Sequence, residues 1–359
     1  MKTTYPFMIS AVAFAGLVAC GDDAKPSTPD AGAPSKTDAE FRAEITAGMQ
    51  SSITVELNDL IQAAKDLQVA APTHRWDVSV AADASALVAM KAAWKRTRVA
   101  YEHVEGATAP IFPDLDLTMD ARYEDYVEGG PDDNVFDAEG VTGMHGIERI
   151  LFAAEIRPAV AANEAAQLPH YAVAAYPASD ADAVSFKTVL VQKLIDDATA
   201  LRNQWTPQKI DIDFAFGGLV GLMNEQGEKV NLAAEQEEES RYANLTMFDL
   251  RNNLAGTKAI YELFRPWIQS KTNGPAADTA VEAKLAALAA LYAAVPTESI
   301  PEVPATWTAV NPSAADLATP FGTLWQTVRD NVDETKDGSV VFEMKLISND
   351  VLRLEQPQP

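Results

Sequence analysis

Cysteine is nearly absent from this sequence of 359 residues, which contains only Cys20. A single cysteine excludes an intrachain disulfide and a structural zinc site built from thiolates. It also leaves the chain after Cys20 without the thiolate ligand of a blue-copper centre. A metal site in residues 21–359 would therefore contain no thiolate ligand.

Basic residues are also scarce, because 28 Lys and Arg stand against 52 Asp and Glu, for a formal net charge of -24. A surface with this excess of acid repels phosphate backbones and anionic lipid headgroups. We therefore expect no nucleic-acid partner. The acidity tolerates cations, but by itself it indicates solubility rather than a cation-specific role.

Alternation of apolar and polar residues typical of β-strands is lacking as well. Instead, apolar residues recur at helical spacing, as in the series Ile45, Met49, Ile53 and Leu57. The composition is rich in Ala, Leu and Glu, which also favours helices. We predict an all-α fold of two four-helix-type bundles packed together, over residues 38–178 and 179–356. Residues 109–140, rich in Pro, Gly and Asp, are predicted to be a long irregular stretch.

The N-terminal apolar run is too short for a bilayer span, which needs roughly 20 residues. It follows Lys2 and ends in Leu-Val-Ala-Cys, with the small Ala19 before Cys20. This pattern is typical of a lipoprotein signal peptide, although a membrane anchor is the alternative. We predict a signal peptide over residues 1–19 and a disordered tether over residues 20–37, with lipid on Cys20. The protein would then be exported and lipid-anchored, on the periplasmic side of a bacterial membrane or at the cell surface.

The segment GMHGIERILF contains one of only four histidines in the chain. On a helix, His145 and Glu148 lie one turn apart, beside an apolar stripe of Met144, Ile147 and Leu151. Two ligands at this spacing can hold one ion. They can equally be a hydrogen-bonded pair at the edge of a packed face, and the motif alone does not decide.

A pair of acidic residues precedes this helix in the segment YEHVE, where Glu102 and Glu105 are three residues apart. The irregular stretch supplies further acidic residues, namely Asp114, Asp116, Asp120, Glu124 and Asp125. The two helices together with an aspartate of this stretch could form a site of hard oxygen ligands plus imidazole. Such a site suits iron, zinc or manganese better than Cu(I). The alternative for Glu102 is a solvated helix face on which it pairs with Arg98. The acidic run at 235–239 is interpreted as a solvated helix end.

The order of these motifs resembles the imelysin-like family, and above all its EfeO/EfeM-type branch of periplasmic iron-uptake proteins. The resemblance covers most of residues 40–355 and is carried by motif residues in both halves of the chain. These are Tyr101, Glu102, Glu105, Asp120, Arg122, Gly143, His145 and Glu148, followed by Arg241, Tyr242, Asp249, Asn253 and Gly256.

The resemblance implies a metal site near the His-x-x-Glu helix of an all-α protein. The implied ligands are His145, Glu148, Glu105, Glu102 and Asp120. The implied metal is iron, as Fe3+ or Fe2+, with zinc or another divalent ion as a further possibility. The implied role is to bind iron outside the cytoplasm and to pass it to a membrane permease.

The chain departs from the family pattern at two places. Ala109 stands where a further glutamate is usual, and residues 243–246 replace a Ser-His-Thr-Asp step. One carboxylate and one imidazole are therefore missing, which leaves the affinity and the metal preference open.

Two other functions compete with iron binding. Imelysin-type proteins have been classed as metallopeptidases, but the chain has no His-Glu-x-x-His motif. The other alternative is a surface lipoprotein that binds a protein partner, in which the polar residues around His145 are structural.

Overall fold

The computed structural model describes residues 36–122, 132, 134–167, 173–206 and 210–355. Across these residues the regular structure is helical and no β-strand occurs, which confirms the all-α prediction. The predicted signal peptide, the lipidated Cys20 and nearly all of the tether lie outside the described residues. None of the described helices is both long enough and apolar enough to span a bilayer.

The first half of the chain contains short helices around two long ones. These are α1 (Asp38–Ala70), α2 (Ala81–Glu102), α3 (Glu105–Thr108), α4 (Pro113–Asp120), α5 (Gly143–Leu151) and α6 (Pro158–Gln167).

The second half begins with a helix interrupted by a π-helical turn at Phe186–Leu190. Its helices are α7 (Asp180–Ser185), α8 (Val191–Trp205), α9 (Ile212–Leu232), α10 (Thr246–Gln269), α11 (Gly274–Ala294), α12 (Ala314–Leu317), α13 (Pro320–Val332) and α14 (Val340–Leu346).

Apolar residues from both halves form one continuous hydrophobic core. The predicted α1 series is buried in it, since Ile45, Met49, Ile53 and Leu57 are all at most 2% exposed. The helical spacing therefore identified the buried face of α1 correctly. The division into two bundles near residue 178 stays a prediction.

The prediction of an irregular stretch over residues 109–140 was wrong for its first part, which contains α4. Pro113 occupies the first turn of this helix, where its missing N–H costs no hydrogen bond. The helix ends at Asp120, so this carboxylate lies on a defined helix end. Residues 123–131 and 133 of the same stretch lie outside the described residues.

Gly143 allows α5 to begin directly against the end of α4. Its φ is +72°, and a Cβ atom there would lie 2.5 Å from the carbonyl oxygen of Met119. The indole N–H of Trp94 on α2 also donates to the carbonyl of Met144, at 2.8 Å. These contacts bring the first turn of α5, with His145, beside Asp120.

Gly256 has the same role for the second half of the chain. A Cβ atom at this position of α10 would lie 2.4 Å from the carbonyl oxygen of His103. The close approach places α10 against the turn between α2 and α3. As a result Asn253, one turn earlier on α10, reaches Glu102 and Glu105.

Candidate metal centre

His145 and Glu148 form a buried pair rather than a solvated edge. The two atoms His145 Nδ1 and Glu148 Oε2 are 2.7 Å apart, and the other carboxylate oxygen accepts the backbone N–H of Ala243, at 2.7 Å. An acceptor at Nδ1 favours the tautomer with its proton there, which leaves a lone pair on Nε2. Because the contact from Ala243 comes from its backbone, the family departure at this position does not remove it.

The second ring nitrogen of His145 faces the carboxylate of Asp120. His145 Nε2 is buried, has no hydrogen-bond partner among the described residues, and lies 3.4 Å from Asp120 Oδ1. Burial lowers the pKa of His145, and the nearby Arg98 lowers it further. The imidazole is therefore neutral near pH 7, which is the form that binds a metal.

Two overlapping groups of side chains could each hold an ion. One is Asp120, His145 and Glu239, and the other is Glu102, Glu105, Asp120 and Glu239, with ligand atoms within 4.8 Å of one another in each group. Asp120 and Glu239 belong to both groups. We call the residues of the two groups, together with the charged side chains that contact them, the centre. The structure thus brings together four of the five residues named from the sequence. The fifth, Glu148, orients His145 instead of joining either group.

Glu239 was missed, because the interpretation of residues 235–239 as a solvated helix end was wrong for the last two of them, although Glu235 is exposed at a helix end. Glu238 and Glu239 are 2% and 7% exposed. After α9 the chain turns through Gln236, whose φ of +65° lies in the left-handed region. The residues after the turn are held by ion pairs, because Glu238 pairs with Arg157 and Glu239 with Arg98. In the sequence, the only indication that Glu239 belongs to the centre was its position two residues before Arg241, which is part of the family pattern.

Arg98 lies at the middle of the carboxylates and is 0% exposed. Its guanidinium contacts Glu102, Asp120 and Glu239, and its Nε lies 3.5 Å from Asp249 Oδ1. The pair with Glu102 foreseen as a solvated i,i+4 contact is present, but both partners are fully buried. Arg98 therefore supplies one permanent positive charge of the centre.

Lys229 of α9 supplies a second positive charge. Its Nζ lies 2.6 Å from Glu239 Oε2, 3.3 Å from Glu105 Oε1 and 3.0 Å from Asn253 Oδ1. The amide of Asn253 donates in turn to Glu105 Oε2, at 2.7 Å, and to Glu102. Asn253 thus fixes the positions of two candidate ligands.

Negative groups outnumber positive ones in the centre. Burial raises the pKa of Glu102 well above its usual range, and it raises those of Asp120 and Asp249 to about 7. These three carboxyls are therefore at least partly protonated near neutral pH. A multivalent cation that binds here would replace such protons.

A cavity of about 270 Å³ opens directly over the centre. Its walls include the centre residues Glu105, Asp120, Lys229 and Glu239, and further carboxylates from Asp116, Glu225 and Glu228. This acidic cavity gives a cation from solvent a route to the candidate ligands.

From two carboxyls in the cavity wall we predict that the metal-free protein loses stability as the pH rises. Burial raises the pKa values of Asp116 and Glu225 to about 7 in the folded state, against about 4 in an unfolded chain. Between these values the folded state binds more protons, so the free energy of unfolding falls with rising pH. His145 has a lowered pKa in the folded state, so below pH 6.5 it makes the free energy of unfolding rise with pH. This opposing effect comes from a single group. We expect the melting temperature in EDTA to fall by about 3 °C or more from pH 5.5 to pH 8.

The control for this prediction is the variant Asp116→Asn/Glu225→Gln. Self-repulsion of a chain with net charge -24 also lowers stability at high pH, and the variant keeps most of that effect. Its melting temperature should fall less over the same pH range. An equal fall in both proteins would show that these two carboxyls do not hold protons in the folded state.

Comparison with known proteins places this geometry in a family. The imelysin family model matches residues 53–323, about three quarters of the chain and every residue of the centre described above. This chain belongs to the imelysin family. The resemblance inferred from the motifs is confirmed.

Two curated relatives of this imelysin carry names from iron uptake. The chain is 27% identical over 175 residues to "Iron uptake system component EfeM" of Pseudomonas syringae pv. syringae, and the match covers 49% of this chain and 48% of the relative. It is 29% identical over 179 residues to "Iron uptake system component EfeO" of Escherichia coli, covering 50% of this chain and 38% of the relative. The matches span about half the length of these relatives or less.

Proposed function

We propose that this protein binds an iron ion as cargo at the centre formed by His145, Asp120 and Glu239. The observation that supports this most directly is the buried Nε2 of His145, which accepts no hydrogen bond from the described residues and faces two carboxylates. An imidazole with carboxylates is a hard ligand set that fits Fe3+ well and Fe2+ acceptably. Zinc or another divalent ion can use the same ligands.

The role in uptake is supported by the relatives, whose names describe components of iron uptake systems. In our proposal the protein is exported, held at the membrane by lipid on Cys20, and passes iron to a membrane permease. The short apolar run before Cys20 and the polar residues after it support the lipid anchor. Nucleic acid has no part in this function.

Peptidase activity is less well supported by the geometry. A metallopeptidase needs a carboxylate that is free to act as a general base toward a metal-bound water. Both carboxylate oxygens of Glu148 are already engaged, one with His145 and the other with Ala243. The pair therefore orients a ligand, as carboxylates beside metal-binding histidines do.

The proposal predicts that His145→Ala/Glu148→Ala loses iron binding. The double variant removes one ligand and the carboxylate that orients it, so we expect the dissociation constant for Fe3+ to rise about 100-fold or more. Competition titrations against a chelator of known affinity measure this. Zn2+ and Mn2+ titrated in parallel report the same site without redox chemistry.

His103 and Glu56 provide the matched control, because they form a second His–Glu pair in the same protein, at 3.1 Å. Both are partly exposed, at 26% and 31%, and neither belongs to the centre. His103→Ala/Glu56→Ala should bind iron like the wild type. If both double variants bind metal equally well, or the wild type binds none, the His145 pair is structural and a protein partner becomes the better hypothesis.

A further inference from the structure

Lys229 occupies a position in the centre that suits a cation. Its ammonium is surrounded by oxygens of Glu239, Glu105 and Asn253, at 2.6 to 3.4 Å. Carboxylate and amide oxygens are also the ligands that hard metal ions use. Glu105 and Glu239 both belong to the acidic group of candidate ligands, so an ion bound by that group competes with the ammonium.

Arg98 and Lys229 differ in how easily each side chain can leave its position in the centre. Arg98 is 0% exposed and contacts four carboxylates, which hold it in place. The Lys229 side chain is 11% exposed and forms part of the cavity wall. A lysine carries its charge at the end of a flexible four-carbon stem, so the ammonium can move while the helix stays in place.

The cavity also provides a place for the ammonium to go. Glu225 lies four residues before Lys229 on α9, a spacing at which side chains of one helix meet. Glu225 and Glu228 both line the cavity. A rotation of the Lys229 side chain would therefore exchange one set of carboxylates for another.

We propose that Lys229 is a displaceable internal cation, which occupies the Glu105–Glu239 side of the centre until a metal ion enters and expels it toward Glu225. This proposal rests on the proposed function, since it concerns how the same centre takes up and releases its cargo. The ammonium neutralises the carboxylates of the metal-free protein. Its return would help to release the ion, because both cations need the same oxygens.

Displacement predicts that removing the ammonium tightens metal binding. The apparent affinity of a site is reduced by the fraction of molecules in which the site is closed. For Lys229→Met we therefore expect the dissociation constants for Zn2+ and for Fe3+, supplied as its nitrilotriacetate complex, to fall about tenfold or more. Lys187→Met is the matched control, because Lys187 bonds to the carbonyl of Ala71 and takes no part in the centre.

Amine labelling of the wild-type protein tests the movement itself. With Zn2+ bound, acetylation of Lys229 by a small acylating reagent, followed by mass spectrometry, should increase about threefold or more, because the ammonium moves into the cavity. Lys336, which is exposed and outside the centre, should be labelled equally with and without metal.

The outcomes separate this proposal from the proposed function. If the wild type binds metal but Lys229→Met binds it no more tightly and labelling is unchanged, Lys229 is a fixed counter-charge and only the displacement is refuted. If the wild type binds no metal while Lys229→Met does, the iron-binding function fails and Lys229 is shown to block the site. Should Lys229→Met fail to fold, Lys229→Gln replaces it in the titration and the wild-type labelling still decides.

Discussion

Replacing Arg98 by methionine is expected to cost about 4 kcal/mol or more of the free energy of unfolding. Arg98 is fully buried and contacts Glu102, Asp120, Glu239 and Asp249. Its removal leaves these carboxyls without their central counter-charge in a low-dielectric interior. Folded domains are stable by only about 5–15 kcal/mol, so the loss would leave the variant at the margin of folding. Urea denaturation in EDTA measures it.

Arg96→Met is the control for this substitution. Arg96 lies two residues earlier on α2 and pairs with Asp66 at the surface, with 56% of its side chain exposed. Surface pairs of this kind contribute little, so this variant should unfold like the wild type. The Arg98→Met deficit should also shrink at pH 5.5, because Asp120 and Asp249, with pKa values of about 7, are then protonated. Equal stability of the two variants would refute the central role of Arg98.

Asp120→Asn is expected to abolish high-affinity metal binding while leaving the fold intact. Asp120 belongs to both candidate ligand groups, so its loss affects either position of an ion. We expect the dissociation constant to rise about 100-fold or more. Burial raises the pKa of Asp120 to about 7, so its ionisation is less favourable in the folded protein than in the unfolded chain. A neutral amide of the same shape should therefore change the melting temperature of the metal-free protein only slightly.

Asp116→Asn makes the same chemical change a few residues away. Asp116 also has a pKa raised by burial to about 7 and lines the same cavity, but it accepts a hydrogen bond from Tyr101 and belongs to neither ligand group. We expect its effect on the dissociation constant to stay below about tenfold. Equal losses in the two variants would mean that the general acidity of the cavity, rather than coordination by Asp120, attracts the ion.

Local sequence patterns were sufficient to predict long helices such as α1 and the pair at His145, although not the short helix α4. The spacing of apolar residues in α1 depends only on the geometry of one helix, and so does the one-turn separation of His145 and Glu148. The spacing of Glu102 and Glu105 in one segment made them candidates as well, and the order of motifs added the family and, with it, Asp120. These are features that a single chain segment contains.

Arg98, Lys229 and Glu239 could not be recognised in the same way. Arg98 contacts carboxylates as far away as Asp249, 151 residues along the chain. Contacts between charges so far apart along the chain leave no periodic pattern in the sequence. From the sequence alone, a lysine or glutamate that becomes buried cannot be distinguished from one that stays in solvent. The left-handed backbone conformation of Gln236 could not be predicted either, because no residue type in this acidic run requires a positive φ.

The centre draws its groups from both halves of the chain, and this limits how the protein can be divided. Residues 38–178 alone would contain all five residues named from the sequence. They would lack Glu239 and Lys229, and also Asn253, which holds Glu102 and Glu105 in place. Such a fragment would retain the whole recognisable motif and yet present only part of the coordination sphere. In a fusion or a shortened variant, the smallest portable unit is therefore the whole helical region and not the segment that carries the signature.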